Sequence, residues 1–330
     1  MKNQNKTTIG GQGRRQGLVW GLLALGLILQ NSHAVIIKGS GDPAANTTAP
    51  TGALASSGWQ FQGLWGGVLG TPIAPQYFIA AQHVGGSVGG KFTINGITYT
   101  TTAYWDDTNS DLRIWKVDGV FGAYAPLYTL NDETGKPLVV FGRGTQRGES
   151  VVVSQVLTVY TTNLVTLKSL GVTKKEAQKL FPDATFSGST MTCITSDVVT
   201  NTELRGWKNG PGDSVIRWGE NQVSYAGTCL VATFDNTGGY NEAYLSGGDS
   251  SGAVFIQDAG IWKLAGINYG IDGPFAASTS ETPYYGAMMN LTAMYVGGAL
   301  YPNDSKVRPA SFYATRISVR MDWIRSVINQ

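Results

Sequence analysis

Histidine is almost absent from this chain: 330 residues contain two, and one of them, His33, lies in an N-terminal stretch that reads as an export leader. Any chemistry at neutral pH that needs an imidazole base therefore falls on His83. Cysteine is equally sparse. Cys193 and Cys229, with one remaining histidine, cannot build a four-ligand zinc site, and no cofactor is implied. Charged residues make up only 14%, the formal net charge is +2, and no basic block occurs. Nucleic acid is therefore not an expected partner. The only long apolar run, Gly17 to Leu29, is too short for a confident membrane span.

That run belongs to a tripartite leader: basic Lys2, Lys6, Arg14 and Arg15, the apolar segment, then Ser32-His33-Ala34 with small residues at the cleavage-determining positions. The expectation is a signal peptide over 1–34 and a secreted or periplasmic product from Val35 to Gln330, with no stable anchor after cleavage. Export makes a Cys193–Cys229 disulfide plausible on count and compartment alone.

Glycine, by contrast, is abundant, with 44 residues. Together with the low charge it suits short strands and tight turns better than a helical bundle. Strand signals run through Trp59-Gln-Phe-Gln, Leu64 to Leu69, Tyr77 to Ala81, Leu112 to Val117, Pro137 to Phe141 and Val151 to Tyr160. They resume around Val215–Trp218, Thr228–Phe234, Ala253–Ile256 and Trp262–Ile267. Asn95-Gly96 between Lys91-Phe-Thr-Ile94 and Ile97-Thr-Tyr-Thr100 predicts a hairpin with a primed turn. One helical insert is expected over Thr173–Phe181, opened by the capping box Thr173-Lys-Lys-Glu176 and stopped by Pro182.

Three residues stand where chemistry would need them. His83 ends the apolar run Phe78-Ile-Ala-Ala-Gln, Asp111 precedes the strand Leu112-Arg-Ile-Trp-Lys-Val117, and Ser250 lies in the turn Ser246-Gly-Gly-Asp-Ser-Ser-Gly252. A serine hydroxyl is a poor nucleophile until an imidazole takes its proton, and a carboxylate fixes the imidazole's tautomer. Asp106 and Asp107 compete with Asp111, but the apolar strand after Asp111 favours partial burial there. The turn also aims the amides of Gly248 and Ser250 into one small space, a candidate oxyanion hole. Asp249 reads as a structural anion beneath the loop, and Ser251 is an alternative nucleophile one position on.

These segments resemble the trypsin/chymotrypsin-like serine proteases. Ala80-Ala-Gln-His83 is similar to the family's Thr-Ala-Ala-His, Asp111-Leu-Arg-Ile-Trp-Lys-Val117 to its Asp-Ile-Ala-Leu-Leu-Lys-Leu, and Gly248-Asp-Ser-Ser-Gly252 to Gly-Asp-Ser-Gly-Gly. Tyr313-Ala-Thr-Arg-Ile-Ser-Val-Arg-Met-Asp-Trp-Ile324 is similar to the family's closing segment, which leads into a terminal helix. Gln82 and Ser251 depart from the pattern. The resemblance implies an all-β fold of two perpendicular antiparallel β-barrels, about 58–140 and 141–311, with a C-terminal helix at about 315–328.

It further implies an endopeptidase whose polypeptide substrate pairs with Asn268-Tyr269-Gly270. A freed N-terminus at Val35-Ile-Ile37 would fold in toward Asp249. The pocket-selecting position falls on Tyr244, which lacks the charge that would select lysine or arginine. Glu242 is two residues away, so the expectation is a narrowed pocket for small or medium apolar side chains. Two other readings remain open: a catalytically impaired binding protein of the same fold, and a glycan-binding β-rich surface protein suggested by aromatic and glycine content.

Overall fold

The structure, a computed structural model, describes residues 35–167 and 171–329, with 155–165 and 193–201 as backbone alone. The leader expected over 1–34 lies outside the described residues. A short strand, β1 (Ile36–Ile37), comes first. Six strands then close an antiparallel barrel: β2 (Gly63–Trp65), β3 (Val68–Ala74), β4 (Tyr77–Ala81), β5 (Lys91–Ile94), β6 (Ile97–Asp106) and β7 (Leu112–Val117), in the order β2-β3-β4-β7-β6-β5. Closure leaves this half no free sheet edge to aggregate through.

The Asn-Gly hairpin forms as expected between β5 and β6. Asn95 and Gly96 both take positive φ, 50° and 76°, which brings the turn's twist into line with that of the strands. Trp59–Phe61, expected as a strand, is instead a 3₁₀ turn. Gly58 before it sits at φ 123°, where Phe255 leaves no room for a Cβ, and Gln62 donates its side-chain amide back to the Gly58 carbonyl.

The second half begins earlier than the expected boundary near 140. β8 (Pro137–Gly142) pairs outside the closed barrel. It is followed by β9 (Thr145–Thr166), helix α1 (Lys174–Leu180), β10 (Thr185–Ser187), β11 (Thr190–Gly212), β12 (Arg217–Gln222), β13 (Tyr225–Ala226), β14 (Cys229–Thr233), β15 (Ala243–Tyr244), β16 (Ala253–Asp258) and β17 (Ile261–Ile271). Four short strands come next, β18 (Phe275–Ala276), β19 (Gly286–Met288), β20 (Tyr295–Val296) and β21 (Ala299–Leu300), and then β22 (Ser311–Arg316).

The main sheet has seven strands in the order β12-β8-β16-β17-β22-β14-β13 and stays open, a half-barrel where the resemblance implies a closed one. Helix α2 (Met321–Ile328) ends the chain after a 3₁₀ turn at Ser318–Arg320. It starts later than the expected 315, because Thr315 and Arg316 are still paired in β22 with Cys229 and Gly266.

One apolar cluster spans both halves. Leu69, Ile79, Leu112 and Ile114 of the barrel, Val139, Phe141, Phe255 and Ile267 of the sheet, and Ile324 and Val327 of α2 are all buried in it. The segments carrying His83, Asp111 and Ser250 adjoin this shared core, with Ala81, Leu112 and Ala253 buried in it.

Two features extend beyond the strand signals, although Val151–Tyr160 falls within β9. β9 and β11 pair over most of their length as a hairpin, from Thr166↔Thr190 to Thr145↔Gly212, through Thr-, Ser- and Asn-rich stretches that lack simple alternation. Helix α1 caps the hairpin's far end, with both halves of the Thr173/Glu176 capping box made and a small core of Leu167, Ala177 and Met191. The second feature is the insert between Ile271 and Ala310, which folds into the three-stranded sheet β18-β20-β21 and strand β19, which pairs with β11.

The Cys193–Cys229 disulfide does not form: Cys229 is a free thiol. Cys193 pairs with Asn163 in the outer hairpin, 13 residues beyond Gly206, where β11 meets β19. At ~3.3 Å per residue that is about 40 Å of strand, whereas Cys229 opens β14 in the main sheet. Alkylation of the unreduced, unfolded protein should accordingly modify Cys229, followed by peptide mass mapping. Recovery of a Cys193–Cys229 crosslinked peptide would contradict the fold. Ile324→Ala should cost ~2–5 kcal/mol of stability through the cavity it opens in the shared core, read as a lowered denaturant midpoint at unchanged slope.

Candidate active site

His83 sits on a single 3₁₀ turn, Gln82–Val84, that follows β4 directly. Its neighbour across the barrel is the loop entering β7. The Gln82 N–H donates to the Asp111 carbonyl at 2.9 Å, and the His83 N–H donates to Asp111 Oδ1 at 2.8 Å. Gln82, the departure before the histidine, thus serves through its backbone.

Asp111 Oδ2 lies 2.5 Å from His83 Nδ1, and His83 Nε2 lies 2.8 Å from Ser250 Oγ. An ionised carboxylate only accepts, so Nδ1 carries the proton and Nε2 is left as the acceptor for the serine hydroxyl. The two competing acids are engaged elsewhere. Asp106 holds Arg113 in a two-pronged ion pair. Asp107, 3% exposed, accepts from Ser110 Oγ and the Asn109 N–H and so shapes the turn that presents Asp111. Arg320, from the turn before α2, donates to the Asn109 carbonyl and closes that turn from outside.

The nucleophile turn is held on three sides. Asp249 is 1% exposed. Its Oδ1 accepts from the Gly144 N–H at 2.6 Å, and its Oδ2 accepts from the Ser246 N–H at 2.7 Å and Ser246 Oγ at 2.9 Å. Burial nevertheless pushes its carboxyl up to about 7, against the lowering effect of the Ser246 bonds. A side chain at Gly142 would run into this carboxylate.

Asn268 donates its buried amide to the Phe141 and Asp249 carbonyls, at 2.8 and 3.0 Å. Ser251, fully buried at φ 69°, accepts the Ala81 N–H on its Oγ at 2.9 Å. That bond ties the nucleophile turn to the strand carrying His83, and it removes Ser251 from contention as the nucleophile. Gly248, at φ 93°, and Ser250 donate their amides to no protein acceptor among the described residues. Two backbone donors of this turn, one of them Ser250's own, are therefore left without a protein acceptor.

The expected substrate-contacting residues divide. Asn268 and Tyr244 have no exposed surface: the Asn268 side chain braces the loop, and Tyr244 is packed between Phe234 and Phe312. Tyr269 is half exposed, with its ring 6.2 Å from that of His83. Gly270 lies on β17 past Ile267, the last β17 residue with a partner on β16. The main chain of Asn268 is still bonded on that side to Ser251 and Gly252, and the edge is without a strand partner from Tyr269 onward. A cavity of about 380 Å³ beside it is lined by Ser110, Asp111, Cys229, Tyr269, Thr315 and Arg320, among others.

Glu242 faces away from the site. It accepts the Asp235 N–H at 3.1 Å, and burial pushes its carboxyl up to about 7. Val35, 2% exposed, and β1 pack just upstream of the nucleophile turn, with Ile36 opposite Tyr244. In this structure the oxygens of Asp249 take backbone and serine donors rather than an amine.

Sequence reasoning missed the tether from Ser251 and the partner of Asp249, Gly144. The glycines flanking Arg143 were the available signal, since two small residues in Gly142-Arg-Gly144 permit the close approach of a buried acid. No family model matches the sequence, and no curated protein gives a significant match. Among the described residues no group of three His, Cys, Asp or Glu side chains is placed to hold a metal ion, and no helix is long and apolar enough to cross a membrane.

Because the folded-state values of Glu242 and Asp249 lie above those of the unfolded chain, the folded protein holds these protons longer. Both groups therefore favour folding below about pH 4, and that contribution is lost as pH rises from about 4 to about 7. Glu242→Gln should flatten this fall. Denaturant midpoints taken across pH 4–8 measure it, and an unchanged slope in the variant would contradict the burial argument.

Proposed function

We propose that this protein is an exported serine endopeptidase that cleaves polypeptides through Ser250, His83 and Asp111, passing through an acyl-enzyme. The observation that carries the reading is the unbroken hydrogen-bonded line Asp111–His83–Ser250, at 2.5 and 2.8 Å, with two unused amides beside its end. Its fold counterpart is the trypsin-like arrangement in which the first barrel supplies base and acid and the second supplies the nucleophile. A closed barrel bearing His83 and Asp111, and a half-barrel sheet bearing Ser250, support it.

In the mechanism, Ser250 Oγ attacks the scissile carbonyl as His83 Nε2 takes its proton, and Asp111 stabilises the imidazolium. The negative charge that builds on the carbonyl oxygen is met by the Gly248 and Ser250 N–H groups. His83 then gives the proton to the departing amine, and water repeats the sequence to free the acid. The edge of β17 from Tyr269 to Ile271 offers an extended peptide main-chain partners, with Tyr269 covering the residue next to the cut.

The reading is tested by a fluorophosphonate probe and by peptide hydrolysis on the purified protein. Labelling should map to Ser250 and vanish in Ser250→Ala. Asp111→Asn should slow turnover by ~10⁴. Ser251→Ala should still label, at a stability cost of ~1–3 kcal/mol for the Ala81 amide left without its acceptor. A folded wild-type protein that fails to react, or an adduct on Ser251, would overturn the assignment.

A further inference from the structure

β9 is bonded along one side only. The Leu167 N–H donates to the Ser189 carbonyl at 2.8 Å across the far end of the hairpin, and the register from Thr166↔Thr190 to Val152↔Leu204 runs without a shift. In an antiparallel ladder, residues that exchange main-chain bonds alternate with residues that do not. The odd-numbered residues of β9 therefore turn their N–H and C=O groups toward β11, and the even-numbered ones, from Val152 to Leu164, turn theirs outward. Among the described residues no strand other than β11 pairs with β9.

The bare stretch from Val152 to Leu164 spans about 40 Å at ~3.3 Å per residue. Native sheets blunt such an edge with lysine, proline, a bulge or an overlying element. Here residues 150–166 contain no charged residue, no proline and no glycine, and no bulge interrupts the run from Val152 outward. A two-stranded ribbon standing alone is marginal in water, whereas added strands stabilise it.

The ribbon's other edge is defended. β10 pairs with Thr190–Thr192 of β11 and β19 pairs with Gly206–Lys208, and the span between them carries Asp197, Glu203 and Arg205. One edge is thus closed to strand addition and the other is bare.

This contrast selects the partner. A strand that joins β9 must have a free edge of matching length, must leave no charge stranded against an uncharged run, and must be present wherever this protein is. The β9 edge of a second copy meets all three conditions. Laid antiparallel about a two-fold axis, the two edges are self-complementary, and the product is a four-stranded sheet in the order β11-β9-β9-β11. Assembly stops there, because both outer edges are the defended ones.

We propose that β9 is a homodimerisation edge, through which two copies of this protein join by antiparallel main-chain pairing of Val152–Leu164 into one continuous four-stranded arm. The inference is independent of the endopeptidase reading.

Light scattering on a size-exclusion column and residue-resolved amide exchange, both on the purified protein, test it. Wild type should show twice the monomer mass. Its odd- and even-numbered β9 amides should both be protected, where a lone ribbon protects the odd set only. Combining Ser154→Pro with Thr158→Pro removes two outward N–H groups and leaves the inward bonds to β11 in place. That variant should have half the wild-type mass and lose protection at its remaining even-numbered β9 amides while keeping it at the odd-numbered ones.

A monomeric wild type overturns the proposal, including one whose even-numbered amides are protected, since its edge would then be covered by its own chain. So does a dimer whose even-numbered β9 amides exchange freely, a proline variant that folds and stays dimeric, or growth beyond two copies. If the proline variant does not fold, the wild-type mass and its amide pattern still decide.

Discussion

Three side chains drawn from two separate sheets can act together only if the sheets do not slide, and one buried bond resists that motion: the Ala81 N–H to Ser251 Oγ. Ala81 ends the strand whose next turn carries His83, and Ser251 follows the nucleophile. A displacement of either sheet would break this bond in a place water does not reach, leaving a buried amide unpaired. The shared core beneath it, from Leu69 to Val327, resists the same motion by packing. Hydrogen bonding sets the register and packing holds it.

Around that link the site is built outward from backbone donors. Asp111 holds the histidine twice, once at the ring and once at its main-chain N–H, so ring orientation and loop position are fixed by a single carboxylate. Asp249 does the same for the nucleophile turn by gathering the Gly144 and Ser246 amides. Each acid sits beneath a turn that it shapes. Other carbonyls and hydroxyls of the turn are engaged by Asn268, Ser246 and the turn's own amides, while the Gly248 and Ser250 N–H groups have no protein acceptor among the described residues.

The sequence made the grouping of His83, Asp111 and Ser250 and the closed barrel legible because both rest on short-range signals. Alternating apolar residues, an Asn-Gly turn and three motifs each fit within about ten residues. What it hid depends on contacts between distant segments. Ser251 looked like a spare nucleophile because nothing local reveals that its hydroxyl faces Ala81, 170 positions away. Tyr244 and Asn268 looked like binding residues because their burial is decided by β1, β8 and β22. The pairing of β9 with β11 was missed because threonine- and serine-rich strands carry little hydrophobic period, and the disulfide was inferred from a count that says nothing about the length of that hairpin.

On the proposed endopeptidase reading, the hairpin also bears on how the protein would survive its own chemistry. A cleft that binds substrate by adding it to the edge of β17 accepts only backbone whose amides and carbonyls are unspent. Along β9 and β11 the inward-facing half of these groups is committed to the partner strand over most of the hairpin's length, and helix α1 packs at the far end. The hairpin's inward-facing backbone would thereby be withheld from self-digestion by the same main-chain pairing that would recognise a substrate.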